Sequence, residues 1–392
     1  SSLITGHGTK LASSARTRHY ARMIRRPSLE TVMIRASFVA ALALSTVAAC
    51  NAQPTTGPLS GKEWAALAAA ARPGGIIDLG ERRVTFARVK GLHDVTIKGG
   101  VFGPVVLDQW RNVTFDGTRF ETPPAERVMH GFAAPYVDAY SSERLTFRNA
   151  TFVGYVDDAG NLTTGGINGR GGADITVTGC TFRELGTVAT FMRTVGVVFT
   201  RNRFDTVREG VRLVGASKAT IAHNRMGPFR PAKGDHPDAV QFFTAGLTRP
   251  DDRAAHDVLI EGNFIDPGPN AHVQGIFIGD EAKLYASGRG YANITVRNNV
   301  LIGTGWHGIT VGPHGPGLTI EGNRLLIRRS NDGVTDNWIM VGDGGGVVRN
   351  NYAGSIKLAR GVTGKGNTSV KRPARATEIS AAAAQLAPDA NR

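Results

Sequence analysis

Apolar residues return at positions 1, 3 and 8 of an octet that recurs along most of the chain. The copies read VTFDGTRF from Val113, LTFRNATF from Leu145, ITVTGCTF from Ile175 and VVFTRNRF from Val197. They continue as ATIAHNRM from Ala219, VLIEGNFI from Val258, ITVRNNVL from Ile294 and LTIEGNRL from Leu318, with weaker copies from Val95 and Gly346. Positions 1 and 3 lie on one face of a strand, because side chains alternate along extended chain. A turn with Gly or Asn follows, and position 8 opens the next wall.

Position 6 holds Asn202, Asn224, Asn263, Asn299, Asn323 and Asn351 in the later copies, and Cys180 in an earlier one. Asn is a common turn former, which accounts for any single copy. Six in register point instead to a stack of inward amides bonded from coil to coil, which removes the cost of burying them. Copies start 18 to 39 residues apart. That spread reads as one coil of about 20 residues plus insertions of different length. A second apolar strand accompanies most copies: GVRLV, AVQFF, GIFIG, GITVG and WIMVG. Two or three short parallel strands per coil predict an all-β fold. Its architecture is a single-stranded right-handed parallel β-helix of about ten coils, spaced about 4.8 Å apart, over residues 51–367.

The two ends read differently. In SGKEWAALAAAARPGGIIDLG, Trp64, Leu67 and Ala71 recur at helical spacing before a Pro-Gly stop, which predicts a short helix capping the first coil. Residues 368–392 read as a mobile basic tail, in which ATEISAAAAQLA is a helix able to cover the last coil.

The formal net charge is +14, but residues 1–49 contribute +6 and residues 357–392 contribute +5. The body is near neutral, so a nucleic-acid role is not expected. The two cysteines, Cys50 and Cys180, exclude a disulfide framework. From Met33, MIRASFVAALALSTVAAC has the charge, apolar run and small residues of a secretory signal peptide, and residues 1–32 read as upstream or tag sequence. TVAAC resembles the bacterial lipobox, which implies a lipid anchor at Cys50. The expectation is an exported, monomeric protein that is periplasmic, anchored at the outer membrane or secreted.

Candidate chemistry gathers where KGDHPDAVQF runs into a strand. The second strands align at Gly210, Ala239, Gly275, Gly308 and Trp338. One residue earlier stand Glu209, Asp238, Gln274, His307 and Asn337; two residues later stand Arg212, Gln241, Phe277, Thr310 and Met340. Strand alternation is taken to turn both rows outward. Lys233, Asp235 and His236 lie on the loop feeding this face, and long insertions flank it. A solvent-facing strand carries polar residues in any case. Cations, amides and paired carboxylates over three coils favour a site.

Repeat and face together resemble the β-helix proteins that act on acidic polysaccharides: pectate lyases, β-helix alginate and chondroitin lyases, and mannuronan epimerases. The resemblance covers about residues 60–360. The epimerase Asp-Pro-His pattern is absent, and GWHGITVG around His307 is only faintly similar to the His-Gly strand of polygalacturonases. The resemblance implies β-elimination on a uronate polymer. Arg212, with Gln241 or Arg193, would neutralise the substrate carboxylate. Lys233 or His236 would be the base and His307 the acid. The same parts would serve a C5-epimerase. Hydrolysis is the alternative, with Glu209 and Asp238 one coil apart as the carboxylate pair. A glycan-binding β-helix without catalysis is the third reading. Asp280, Glu281 and the PDD at 250–252 are candidates for Ca²⁺.

Overall fold

A computed structural model of the chain describes residues 57–386, apart from 129–132, 236, 270–271, 304–306 and 330–335. The leader, the lipobox with Cys50, and His236 lie outside the described residues.

The described chain winds as a parallel β-helix. One sheet has 22 strands and the other eleven, and every register pair between their strands is parallel. The eleven strands of the second sheet mark eleven coils, one more than the repeat predicts. They are β1 (Ala87–Lys90), β2 (Val105–Asp108), β3 (Val137–Tyr140), β4 (Gly165–Arg170), β5 (Thr187–Met192) and β6 (Glu209–Val214). They continue as β7 (Asp238–Phe242), β8 (Gln274–Ile278), β9 (His307–Val311), β10 (Trp338–Val341) and β11 (Ile356–Leu358).

The octets form the large sheet, and their inward positions build the core. Phe120, Phe152 and Phe182, all at position 8, stack at 4.5 and 4.7 Å between ring centroids. The position-6 asparagines form the expected ladder. In Asn224 the backbone N–H and Nδ2 both donate to Asn263 Oδ1, at 3.0 and 2.9 Å, and Nδ2 also donates to the Phe199 carbonyl. The pattern repeats from Asn202 to Asn351 and ends on Asn367, a seventh member. At its head, the Cys180 N–H donates to Asn202 Oδ1. Cys180 is a buried thiol that burial pushes up to about 12, which suits packing rather than reactivity.

Helix α1 (Gly61–Ala70) begins at a capping box in which Ser60 and Glu63 bond each other's backbone. It buries Trp64 edge-on against Phe102, at 5.3 Å. Ala68 is its second buried residue; Leu67 and Ala71 pack only in part. The tail adds a strand, Thr368–Ser369, and helix α2 (Ala376–Gln385). Helix α2 places Ala382 on a side cluster with Phe264, Val300, Ile302 and Leu326. It therefore lies against the flank of earlier coils as well as following the last one.

Candidate active site

Arg88, Val106, Asp138, Asn168, Thr190, Arg212, Gln241, Phe277, Thr310, Met340 and Lys357 are successive register partners across the second sheet. The residues on either side of most of them, such as Val211 and Leu213, are core, and those beside Lys357 pack against it in part. This row therefore faces outward, and its alignment from Arg212 to Met340 matches the sequence reading.

The second row needs a different account. Glu209 and Arg212 are three residues apart, so strict alternation would put them on opposite faces. They nevertheless form an ion pair at 2.9 Å. At Gly210 the backbone runs so close to the next coil that a Cβ would overlap the Ala239 carbonyl oxygen, and the register pairs pass from Glu209 to Val211. Strict alternation is broken there, which leaves Glu209 within reach of Arg212. Asp238 and Gln274 are register partners at the same level. The row fails at Asn337. A register shift between His307 and Ile309 pairs His307 with Trp338. Asn337 is turned inward, where Nδ2 donates to the carbonyls of Leu301 and Leu326.

Insertions crowd this part of the face. The turns after β4, β5 and β6 have two residues, whereas segments of 13 residues follow β7 and β8. Arg193 ties down the first of these. Its guanidinium binds both oxygens of Asp252 at 2.6 and 2.7 Å and the Gly246 carbonyl at 3.0 Å. This pairing holds the Asp252 carboxyl down at about 2. Arg193 is thus engaged as a loop clamp, not as a cation on the face. In the loop before β7, Asp235 is bonded by Arg208 and accepts from the Ala232 N–H, which fastens KGDHPD to the preceding coil. Lys233 is exposed near the tip of that loop.

At the centre are Glu209, 6 % exposed, and Asp238, 2 % exposed. The Asp238 N–H donates to Glu209 Oε2 at 3.4 Å. Burial, then the charge of Glu209, pushes the Asp238 carboxyl up to about 8, and Arg212 works against this. Burial also raises Glu209, opposed chiefly by Arg212. Because Arg212 bonds Glu209 directly, negative charge is held on Glu209 and the proton of the pair belongs on Asp238. Three buried polar atoms on three consecutive coils make no protein hydrogen bond: Arg212 Nε, Asp238 Oδ1 and Gln274 Oε1. Buried polar atoms are rarely left this way, and a cluster of them calls for partners from outside the chain, water or a ligand.

Glu281 adds a third carboxylate whose charge also raises Asp238. The sequence reading placed it with Asp280 as a Ca²⁺ candidate. In the structure both brace loops. Asp280 accepts from the N–H groups of Leu284 and Tyr285 and from Thr244 Oγ1, and Glu281 accepts from the Thr244 N–H. Among the described residues no group of three or more acidic, His or Cys side chains gathers to hold a metal.

Farther along the face the chemistry becomes aromatic. The His307 ring lies 6.3 Å from Phe277 and 5.0 Å, edge-on, from Trp338, and its Nδ1 is 3.2 Å from Thr310 Oγ1. Trp338 Nε1 donates to the same hydroxyl at 3.2 Å. Lys357 Nζ sits 4.2 Å above the Trp338 ring. Phe277, Thr310, Met340 and Lys357 line a groove of about 430 Å³. Trp338 and Lys357 were not among the expected site residues, because Trp338 aligns at a position of small residues and β11, with three residues, is too short to stand out as a second strand.

No family model matches the chain, and no curated protein matches it in sequence. Solved structures do resemble it. The surface adhesin PfbA of Streptococcus pneumoniae superposes with a TM-score of 0.50 at 13 % identity, covering 80 % of this chain and 92 % of the adhesin. An alginate lyase from Paenibacillus sp. gives 0.40 at 14 % identity, over 81 % and 96 %. A family 28 exopolygalacturonase of Yersinia enterocolitica gives 0.42 at 12 % identity, over 76 % of this chain and 48 % of the enzyme. At 13 % identity, what the chain shares with the adhesin is the parallel β-helix fold alone, and a fold by itself fixes no activity.

Proposed function

We propose that the chain is a polysaccharide-active enzyme whose reaction centre is Asp238 with Glu209, and that the reaction is hydrolysis of a glycosidic bond. The observation that carries this reading is the asymmetry of the pair: two neighbouring buried carboxylates, one bonded by Arg212 and the other raised to about 8. Glycoside hydrolysis requires one carboxyl that is protonated near neutral pH and one that is ionised. Asp238 donates the proton to the leaving oxygen. Glu209, or Glu281 through a water, supplies the negative charge opposite. Arg212 and Gln274 hold sugar hydroxyls with the polar atoms that lack protein partners, and Gln241 stands in register beside Arg212 to add a further contact.

Elimination on a uronate is the second reading. Its support is the side-by-side placement of Arg212 and Gln241 in register. Two features weigh against it as the first choice. Arg212 is already bonded to Glu209, and a uronate at the centre would meet the charge of Glu209 and Glu281.

The protein is offered alginate, pectate, glucuronan, glycosaminoglycans and bacterial exopolysaccharides, with and without calcium. New reducing ends without a rise in ultraviolet absorbance are expected. They should vanish in Asp238→Asn. A rise in absorbance from unsaturated uronate ends would replace hydrolysis by elimination. Tight binding with no shortening of any polymer would leave a glycan-binding protein, and export would be tested separately by fractionating cells that carry the full chain.

A further inference from the structure

We propose that the substrate is anionic but that its charge is read away from the reacting bond, on Trp338 and Lys357, with Lys357 as the specificity-determining residue. This rests on the reading of the outward face as a polysaccharide site.

Charge is tolerated unequally along the face. Around Asp238 the face carries Glu209 and Glu281, and its nearest cation, Arg212, is already committed to Glu209. A neutral sugar fits there; a carboxylated one is repelled. The end of the face is the reverse. From β7, which carries Asp238, three coil steps reach β10 with Trp338 and four reach β11 with Lys357. At about 4.8 Å per coil these lie about 14 and 19 Å from the centre along the sheet. A chain of sugars lying along the groove spans that distance in three or four units.

The platform itself selects for an acid. Trp338 is held by its bond to Thr310 and by the His307 ring against its edge. Its indole face is the kind of surface on which a pyranose stacks. Lys357 Nζ occupies that face, 4.2 Å above the ring. A neutral sugar must displace the ammonium from a cation–π contact and gives nothing back. A sugar bearing a carboxylate or sulfate draws the ammonium aside into a charge-assisted pair and takes its place on the ring. The groove lined by Phe277, Thr310, Met340 and Lys357 has room for one such unit.

The test measures binding in the Asp238→Asn background, so that the polymer stays intact. The probes are an acidic bacterial heteropolysaccharide with one glucuronate per repeat and the same polymer after chemical reduction of its carboxyl groups. The acidic form should bind more tightly. Lys357→Met should weaken it by at least about tenfold and leave the reduced form bound at least as tightly as before, because no ammonium has to be displaced from the ring, while Lys357→Arg keeps most of the preference. Equal binding of the two forms, equal loss for both in Lys357→Met, or no binding of the acidic polymer overturns the proposal. Lys357-dependent binding in a protein whose Asp238 form never shortens the polymer upholds this proposal and sinks the hydrolytic one. Cleavage that is indifferent to Lys357→Met does the opposite.

Discussion

The two sheets present outer faces of opposite kinds, although the same coils build both. On the large sheet the outward row reads Thr96, Thr114, Thr146, Thr176, Val198, Thr220, Leu259, Thr295, Thr319, Val347 and Thr363 in register. Beside it, charges are matched between neighbouring coils: Asp116 with Arg148, Glu261 with Arg297, Glu321 with Arg349. The second sheet carries eleven residues in the equivalent row with almost no repetition. Its buried pair is two carboxylates, and three of its buried polar atoms lack partners. A repeated, self-satisfied face is scaffold. A face that varies from coil to coil and leaves groups unsatisfied is where a ligand belongs.

The comparison is sharpest at Asp238. Asp238→Asn should lower turnover about a thousandfold, measured as reducing ends on the cleaved polymer, with the fold intact by circular dichroism. Thr295→Val on the opposite face should leave turnover unchanged. A similar loss in both would erase the distinction between the faces.

The interior is next in size. Asn263→Ala removes the oxygen that accepts two bonds from Asn224 and leaves those buried donors unpaired. A loss of about 3 kcal/mol is expected in denaturant unfolding. A loss below about 1 kcal/mol would show that the ladder is not what holds adjacent coils.

The raised carboxyl gives a pH signature with a definite sign. Asp238 sits near 8 in the folded chain, against about 3.9 when unfolded. Folding therefore favours the protonated form, and this contribution is full below pH of about 4 and is lost as pH rises through about 8. Between those limits the native protein should lose on the order of 5 kcal/mol that Asp238→Asn retains. Parallel stability curves for the two proteins would place the proton elsewhere.

The smallest effect belongs to the scaffold face. Glu261→Ala breaks a part-exposed pair with Arg297 and should cost about 0.5 kcal/mol or less, read as a barely moved melting temperature. A cost several times larger would mean that the matched charges are structural after all.

The fold was legible because its signal is repeated. Six asparagines in register report one another, and an error in one copy is outvoted by the rest. The outward row from Arg212 to Met340 was legible for the same reason. The second row came out right at Glu209 only because the alternation that would otherwise have turned it inward is broken at Gly210. It came out wrong at Asn337, where one extra residue in the coil shifts the register. Neither such a break nor a bulge leaves a mark in the apolar pattern. Arg193 looked like a free cation because its partner Asp252 lies 59 residues away, on an insertion whose path no repeat constrains. Trp338 and Lys357 escaped because the one octet between them, from Gly346, is a weak copy.

The asparagine ladder has one more consequence, and it concerns how such a chain changes over generations. Every rung donates the same N–H groups to the coil after it and offers the same acceptor to the coil before it. A duplicated or deleted coil between rungs would therefore close without a mismatch. The second sheet would change by the same step. A coil inserted between β9 and β10 would carry Lys357 one rung farther from Asp238 and alter the spacing at which a charge is sensed. Gene duplication acting on one interior side chain would thus act as a ruler, graduated in coils, for the repeat length of the polymer outside.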